Sequence, residues 1–412
     1  MIMNRIKIIS TLELQGIRRE VSLFFGSAFL FLLGIVIAQI FDPRFAQLIQ
    51  ILALAVFLFV GFKLSDYHFE DVYFKGIFML FVVWNVVIMT RGLDFSYDKI
   101  KLYLFSDFIF WPYVIPFAAF LIKSKVIQHR LFDWLTYSGI AFLVLFVMVL
   151  KFYPDRSDVL EQLIVFFSSG CGFILLTWKY HSNTRRLFAA VVILIALIAA
   201  TVLARRNVML TNINYFVAAF LLYLFYYAKD DFKKRMRALI LVGVLLFSAA
   251  LVFIQRMDTD FKLIVNRASE DTREYVFDAF FKDMQGVEWI GKGINGEYFC
   301  PLFIPDSEPI EQRDLIECGY LQLMLKGGYV SIILFLMVTL PAIYLGMFKS
   351  NNGLSKACGI VILLWLIDMI PYGIPGFSIK YFLVWFSIGI CYSKTFRKLE
   401  DSYFKNNLFK IL

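Results

Sequence analysis

Apolar and polar positions follow one another along this chain in long blocks, not residue by residue. Runs of roughly 17–25 apolar residues, the length a helix needs to cross a bilayer, recur about twelve times. They lie near 21–40, 46–62, 73–89, 107–122, 134–151, 159–178, 187–204, 208–228, 238–255, 316–347, 357–373 and 376–393. Pro112 and Pro116 break the fourth run, and only "PYGIPGFS" separates the last two. No internal repeat or low-complexity tract interrupts the series. The pattern predicts an all-α integral membrane protein, a single polytopic domain over 1–412 with about 12 transmembrane helices.

One polar stretch is too long to be a simple turn. Residues 255–315 form a large loop between the ninth and tenth runs. Within it, "VNRASEDTREYVFDAFFKDM" has helical periodicity, with Val276, Phe277, Phe280, Phe281 and Met284 on one face. An amphipathic helix of this kind is expected to lie on the membrane and roof a cavity. Arg267 and Arg273 stand at or before its start, and Gly291, Gly293 and Gly296 break the chain after it.

Alternating the runs from a cytoplasmic N-terminal tail puts "KSKVIQHRLFD", "KYHSNTRR", "KDDFKKRMR" and the basic C-terminal tail inside, as positively charged connections prefer. Both termini are then cytoplasmic, and the polar loop is outer. The N-terminal tail runs into its first span without a small-residue cleavage site, so no cleavable signal peptide is expected. "TVLARRNVML" is the exception among the outer segments, because it holds Arg205 and Arg206 against the charge rule.

Composition agrees with the pattern. The chain is 60% hydrophobic with a formal charge of +9, and its mean hydropathy is +0.73. A soluble domain of this size cannot bury so much apolar surface. The 47 phenylalanines suit helices that face lipid. The basic excess is spread over short connections, which reads as topology signal and not as a nucleic-acid patch.

The inventory narrows the chemistry. All three histidines, His68, His129 and His181, fall in inner segments, so none serves as an outer base or metal ligand. The five cysteines form no CxxC, leaving Cys300 and Cys318 as the pair a disulfide would join. "DTD" at 258–260 matches a short metal-binding pattern, against the reading of a solvated loop start. Outer arginines remain charged in any environment and bind phosphate bidentately. Around a polar cavity they suit an anionic, lipid-borne ligand. Glu317, at a span entrance, is placed to take a proton from an attacking hydroxyl. Asp368, inside "LLWLIDMIPYG", either lines that cavity or caps a helix end. Arg91, Asp94 and Asp98 read as a surface loop, and Asn85, Asn212 and Asn214 as hydrogen-bond partners between helices.

Three ordered segments, "RRNVML", "TREYVFDAFFKDMQGVEWIGKGING" and "ECGYLQLMLKGGYV", resemble the motifs of the O-antigen polymerase and O-antigen ligase superfamily. The likeness covers mainly 187–345. It implies a GT-C-like, metal- and cofactor-independent glycosyltransferase in the bacterial cytoplasmic membrane, acting at the outer face on undecaprenyl-pyrophosphate-linked glycans. Membrane lipid, a chain-length regulator and a flippase of the same pathway are the implied partners. The resemblance gives catalytic roles to Glu317, Arg206 and Arg273, and substrate binding to Arg205, Arg267, Arg313 and Asp368. It favours Arg206 over Arg205, because Arg206 begins the arginine-to-apolar run "RNVML"; on a helix the two would diverge by about 100°, so one would face the cavity and the other the headgroups. The ligases open their third motif with a His-Asn pair. Glu317 and Cys318 stand there instead, which favours a polymerase over a ligase. A flippase or other transporter is the rival outside enzymes, but transporters tend to internal symmetry and short loops.

Overall fold

The structure, a computed structural model, describes residues 11–41, 43–121, 125–240, 243, 273–302 and 310–408. Before the polar loop come α1 (Thr11–Ile40), α2 (Pro43–Leu64), α3 (Val72–Thr90), α4 (Tyr97–Phe105), α5 (Trp111–Val114, continuing as a 3₁₀ turn to Phe120) and α6 (Lys125–Phe152). Next are α7 (Ser157–Leu163), a π-turn over Ile164–Ser168, α8 (Ser169–Leu176), α9 (Asn183–Val202) and α10 (Arg206–Leu222). The described part of the loop holds α11 (Arg273–Asp283) and two strands, β1 (Tyr298–Leu302) and β2 (Ile310–Arg313). The chain closes with α12 (Gly319–Phe348), α13 (Gly353–Asp368), α14 (Ile379–Tyr392), α15 (Lys394–Lys398) and α16 (Asp401–Leu408).

Eight of the described helical units are long and apolar enough to cross a membrane, and the chain is a multi-pass membrane protein in this sense. They account for eight of the twelve predicted runs. Three others are shorter than expected: the fourth begins only at Trp111, and α13 and α14 have 16 and 14 residues. The ninth, 238–255, falls almost wholly outside the described residues, as do "DTD" and Arg267.

Polar residues set the helix starts where the sequence offers caps. The Asp71 carboxylate accepts from Phe74 N at 3.1 Å, the Asn352 side chain from Ser355 N at 2.8 Å and Ser378 Oγ from Tyr381 N at 3.1 Å. Between the helices the contacts are largely aromatic. Phe24 stacks on Phe57 at 4.8 Å, and Phe74 on Tyr392 at 4.2 Å. Phenylalanine therefore fills the interior as well as facing outward: Phe24, Phe31, Phe57, Phe142, Phe167 and Phe173 are fully buried, whereas Phe59 and Phe225 are exposed. At the end opposite the polar loop, the Asp401 carboxylate gathers Gly353 N at 2.8 Å, Lys179 Nζ at 2.9 Å and the Tyr180 hydroxyl, tying α16 to two other helices.

α12 is bent in its first third. Gly327 and Gly328 leave helical geometry, Gly328 with φ +65° and ψ −168°, a region open in practice to glycine alone. The bend frees backbone groups, and the polar loop meets them. Lys292 N donates to Leu325 O and Gly293 N to Lys326 O, both at 2.8 Å, while Tyr329 N donates to Glu288 O at 2.8 Å. The Trp84 indole caps Gly327 O at 3.1 Å, and Arg91 clamps the carbonyls of Ile290 and Gly291 at 2.6 and 2.7 Å. Arg91 is thus a structural clamp, where the sequence suggested a surface loop. Glycines of the second and third motifs meet at this joint.

The loop helix appears where expected, over Arg273–Asp283 among the described residues. Phe280 and Met284 are fully buried with Tyr298, Cys300, Ile316, Met324 and Leu325, so α11 packs on the strand pair and the start of α12. Phe281 is instead 48% exposed, which narrows the predicted apolar face. The antiparallel β1–β2 pair was not foreseen: Tyr298 faces Arg313 and Leu302 faces Ile310, with an irregularity after Phe299. All five cysteines are free, so Cys300 and Cys318 do not pair, and Cys318 instead donates to Met369 O at 3.5 Å.

A methyl group on Gly328 would meet Trp289 backbone atoms at 2.2 Å, whereas one on Gly76 in α3 meets nothing. Thermal unfolding of the purified protein should therefore show Gly328→Ala destabilised by about 2 kcal/mol or more, and Gly76→Ala unchanged or slightly stabilised.

Candidate functional site

A cavity of about 410 Å³ opens where four connections converge, those leading into α5, α10, α12 and α14. One wall comes from the α9–α10 junction. Ala204 takes a positive φ of 53°, and Arg205 is the non-helical residue before α10, at φ −94° and ψ 81°. Helical geometry begins only at Arg206, so the 100° divergence expected for two helical neighbours does not apply. Both arginines line the cavity, which corrects the expectation that one would face the headgroups. Arg205 Nε pairs with Glu161 Oε2 at 3.0 Å. Arg206 is exposed and stands in the first turn of α10. No side chain caps that helix, so its N–H groups and positive dipole end add to the guanidinium field.

Carboxylates line the cavity as well. Glu317 lies between the strand pair and α12, on a segment fixed by its backbone. Ile316 N donates to Gln322 Oε1 at 3.0 Å, and Gly319 N donates to Met369 O at 2.8 Å. Asp107, in the connection before α5, also lines the cavity. Its carbonyl accepts from Phe377 N at 2.8 Å, which holds that connection against the "PYGIPGFS" segment. Asp107 keeps a partial opening to the cavity but is otherwise packed in protein. Burial lifts its carboxyl to about 7, opposed in small part by a backbone hydrogen bond. Around Tyr372, burial and then the nearby charges of Asp107, Glu161 and Glu317 push the phenol above its ordinary range. Two carboxylates from connections and one from α7 thus lie near one tyrosine.

The floor holds a buried ion pair. Asp368, at the end of α13, binds Lys380 of α14, and its other oxygen accepts from Thr211 Oγ1 at 2.5 Å. Lys380 also donates to Thr211 at 3.3 Å and lies 5.5 Å from the centre of the Trp365 ring. Both charged side chains are at most 10% exposed. The π-turn lines the same floor through Ile164, Phe166 and Ser168, and such turns recur at functional sites. A smaller apolar pocket, about 50 Å³ and walled by Phe24, Phe29, Phe57 and Trp134, adjoins the cavity by sharing Phe377 and Ser378.

Of the sequence-predicted residues, the cavity joins Arg205, Arg206, Glu317 and Asp368. Arg313 does not line it. That residue sits on β2 opposite Tyr298, whose phenol burial raises, Arg313 lowers and Glu317 raises, so it stands behind the Glu317 rim. Arg273 heads α11, with its side-chain position outside what the structure describes, and Arg267 lies outside the described residues altogether. Sequence reasoning missed Lys380, Asp107 and Glu161. An intramembrane lysine twelve residues after Asp368 was the available signal for the first. The other two stood at span ends with nothing to separate them from solvated charges. Among the described residues, no group of three His, Cys, Asp or Glu side chains is placed to hold a metal ion. No family model, curated protein or solved structure matches the chain.

Two outcomes follow from these charges. Removing one member of the buried pair, in Asp368→Ala or Lys380→Ala, should cost about 3–5 kcal/mol in chemical denaturation, while Asp368→Leu combined with Lys380→Met should recover most of it. For Asp107 the folded pKa is raised, so its stabilising effect is complete below the ordinary carboxylate range and is lost as pH rises through about 7. Between pH 5 and 8 the wild type should lose melting temperature relative to Asp107→Asn, by the equivalent of about 2–3 kcal/mol. Parallel pH curves for the two proteins would contradict the assignment.

Proposed function

We propose that this protein is a membrane glycosyltransferase that polymerises undecaprenyl-pyrophosphate-linked oligosaccharide repeat units at the outer face of a bacterial cytoplasmic membrane, with both termini on the cytoplasmic side. The observation that carries this reading is the joining of Arg205, Arg206 and the start of α10 with Glu317 in one polar cavity. Positive groups and a carboxylate lining one cavity of about 410 Å³ are what a phosphate leaving group and an acceptor hydroxyl require. The adjoining aromatic pocket suits a ligand that is part lipid.

In this reading Arg206 and the N–H groups of α10 take the pyrophosphate, and Arg205, steadied by Glu161, shapes that wall. An acceptor hydroxyl oxygen attacks the anomeric carbon from the face opposite the leaving group. The C–O bond to pyrophosphate breaks, its electron pair leaves with the phosphate oxygen, and the hydroxyl proton passes to the Glu317 carboxylate. The anomeric centre inverts, and lipid pyrophosphate departs with its charge held by the guanidinium. Arg273, at the head of the loop helix, is assigned to the same phosphate, and Asp368 to the sugar hydroxyls. A chain-length regulator and a flippase fit as partners, since the first would set the product and the second would supply the substrate.

The deciding experiment is deletion of the gene followed by electrophoresis of the surface polysaccharide. A single repeat unit on its anchor is the expected result. Bare anchor with accumulated lipid-linked polymer would instead indicate a ligase, repeat units trapped inside would indicate a flippase, and a full-length ladder would sink the reading. Complementation with Arg206→Ala or Glu317→Gln should lower chain extension about 100-fold or more at normal protein level.

A further inference from the structure

Two amide side chains on the arginine wall take no part in holding the fold. The Arg205–Glu161 pair, 3.0 Å apart, ties the end of α7 to the start of α10. Gln162 follows Glu161 on one side of that bridge, and Asn207 follows Arg206 on the other. Both are half-buried and line the cavity. In each, the carbonyl oxygen is sealed in protein and receives no hydrogen bond. The NH₂ group is the end left open, and among the described residues nothing accepts from it. A sealed carbonyl without a donor costs stability, so these side chains are not arranged to satisfy the fold.

The carboxylates of the same wall are already matched. Asp158 of α7 is held by Arg156 through contacts of 3.1 and 2.9 Å, and Glu161 by Arg205. Asp107 and Glu317 reach the cavity from the connections before α5 and α12. Among the described residues, Arg206 has no carboxylate at ion-pair distance. What remains unengaged on this wall is a set of donors: the Arg206 guanidinium, the Asn207 NH₂, the uncapped N–H groups of α10 and, across the bridge, the Gln162 NH₂. Donors without a competing acceptor suit phosphoryl oxygens. The α10 end alone serves one phosphoryl group. A diphosphate is longer by one P–O–P link and reaches the donor on α7 as well.

We propose that Asn207 with Arg206 holds one phosphoryl group of a diphosphate and Gln162 the other, so that Gln162 makes the site select a diphosphate over a monophosphate. This rests on the functional reading above and deepens it to the part of the ligand that each residue recognises. The Arg205–Glu161 bridge is the spacer, because it fixes how far apart the two amides stand.

The test uses the full-length protein in lipid nanodiscs, titrated at constant ionic strength with inorganic pyrophosphate and, separately, with orthophosphate, each followed by phosphorus NMR. Wild type should bind pyrophosphate about tenfold tighter or more. Gln162→Leu, which keeps the bulk and removes the donor, should weaken pyrophosphate about tenfold and leave orthophosphate unchanged. Asn207→Leu should weaken both about tenfold, and Arg206→Ala should abolish both. Gln162→Glu, of the same shape but with a charged oxygen in place of the NH₂, should lose pyrophosphate and serves where the leucine variant does not fold. Geranyl diphosphate, measured against empty nanodiscs, identifies the source of the diphosphate. Tighter binding than pyrophosphate supports a lipid-borne ester, and weaker binding overturns the lipid-borne part of the reading. Gln162→Leu that binds pyrophosphate like the wild type or weakens both probes alike, or Asn207→Leu that weakens neither, overturns the inference and leaves the phosphate reading standing. No binding of either probe to the wild type overturns the phosphate reading itself.

Discussion

A bilayer gives backbone N–H and C=O groups no alternative partner, so every interruption of a helix in this chain has to be met by protein. That constraint organises the molecule. The interruptions that matter fall at one end of the bundle: the Gly327–Gly328 bend, the Ala204–Arg205 junction, the π-turn before Ser169 and the segment after Asp368. The polar loop meets the bend, "PYGIPGFS" meets Asp107 through Phe377 N, Met369 just before it accepts from Gly319 N, and Arg205 N is taken by Ala200 O of the preceding helix. Where the breaks converge, helices cannot close against one another, and a polar cavity is left. The same groups that cost stability in a straight helix become the lining of the site.

The charges in the cavity follow from this arrangement. Asp368 and Lys380 come from consecutive helices whose connection folds back, so the pair is short in sequence and deep in the fold. Glu161 reaches Arg205 across the gap left by the π-turn and the unwound start of α10. Asp107 sits in a connection pinned by its own carbonyl, which fixes its position while burial disfavours its charge. Stability and chemistry are coupled here, because the groups most expensive to bury are the ones facing the proposed ligand.

Much of the framework was legible in the block pattern of the chain. Eight runs recur as full-length helices, and the loop helix is found over Arg273–Asp283, within the segment whose periodicity predicted it. What escaped was decided by tertiary contact. "YFCPL" and "IEQR" are too short, and too weak in alternation, to announce a strand pair; they pair because α11 and the start of α12 bury Tyr298 and Cys300 between them. Lys380 looked like the polar end of a connection because its partner lies across a fold-back. The divergence of Arg205 and Arg206 was inferred from ideal helical geometry, which Ala204 had already broken. Glu317 was singled out through the motif it opens, and Asp368 because a carboxylate inside an apolar run is rare enough to stand out.

The joint at the Gly327–Gly328 bend also sets an order of assembly. Trp84 belongs to α3 and Arg91 caps its end, yet the carbonyls they bind lie 243 and 199 residues further along the chain. At ordinary rates of synthesis that separation is roughly 10–50 s of waiting. During that interval α3 holds an indole and a guanidinium with none of their final acceptors yet made. Contacts of such long sequence separation form late and slow the overall search. The cavity end is therefore the last part of the protein to acquire its final form, and the nascent chain passes through a state in which most of its helices exist but its site does not.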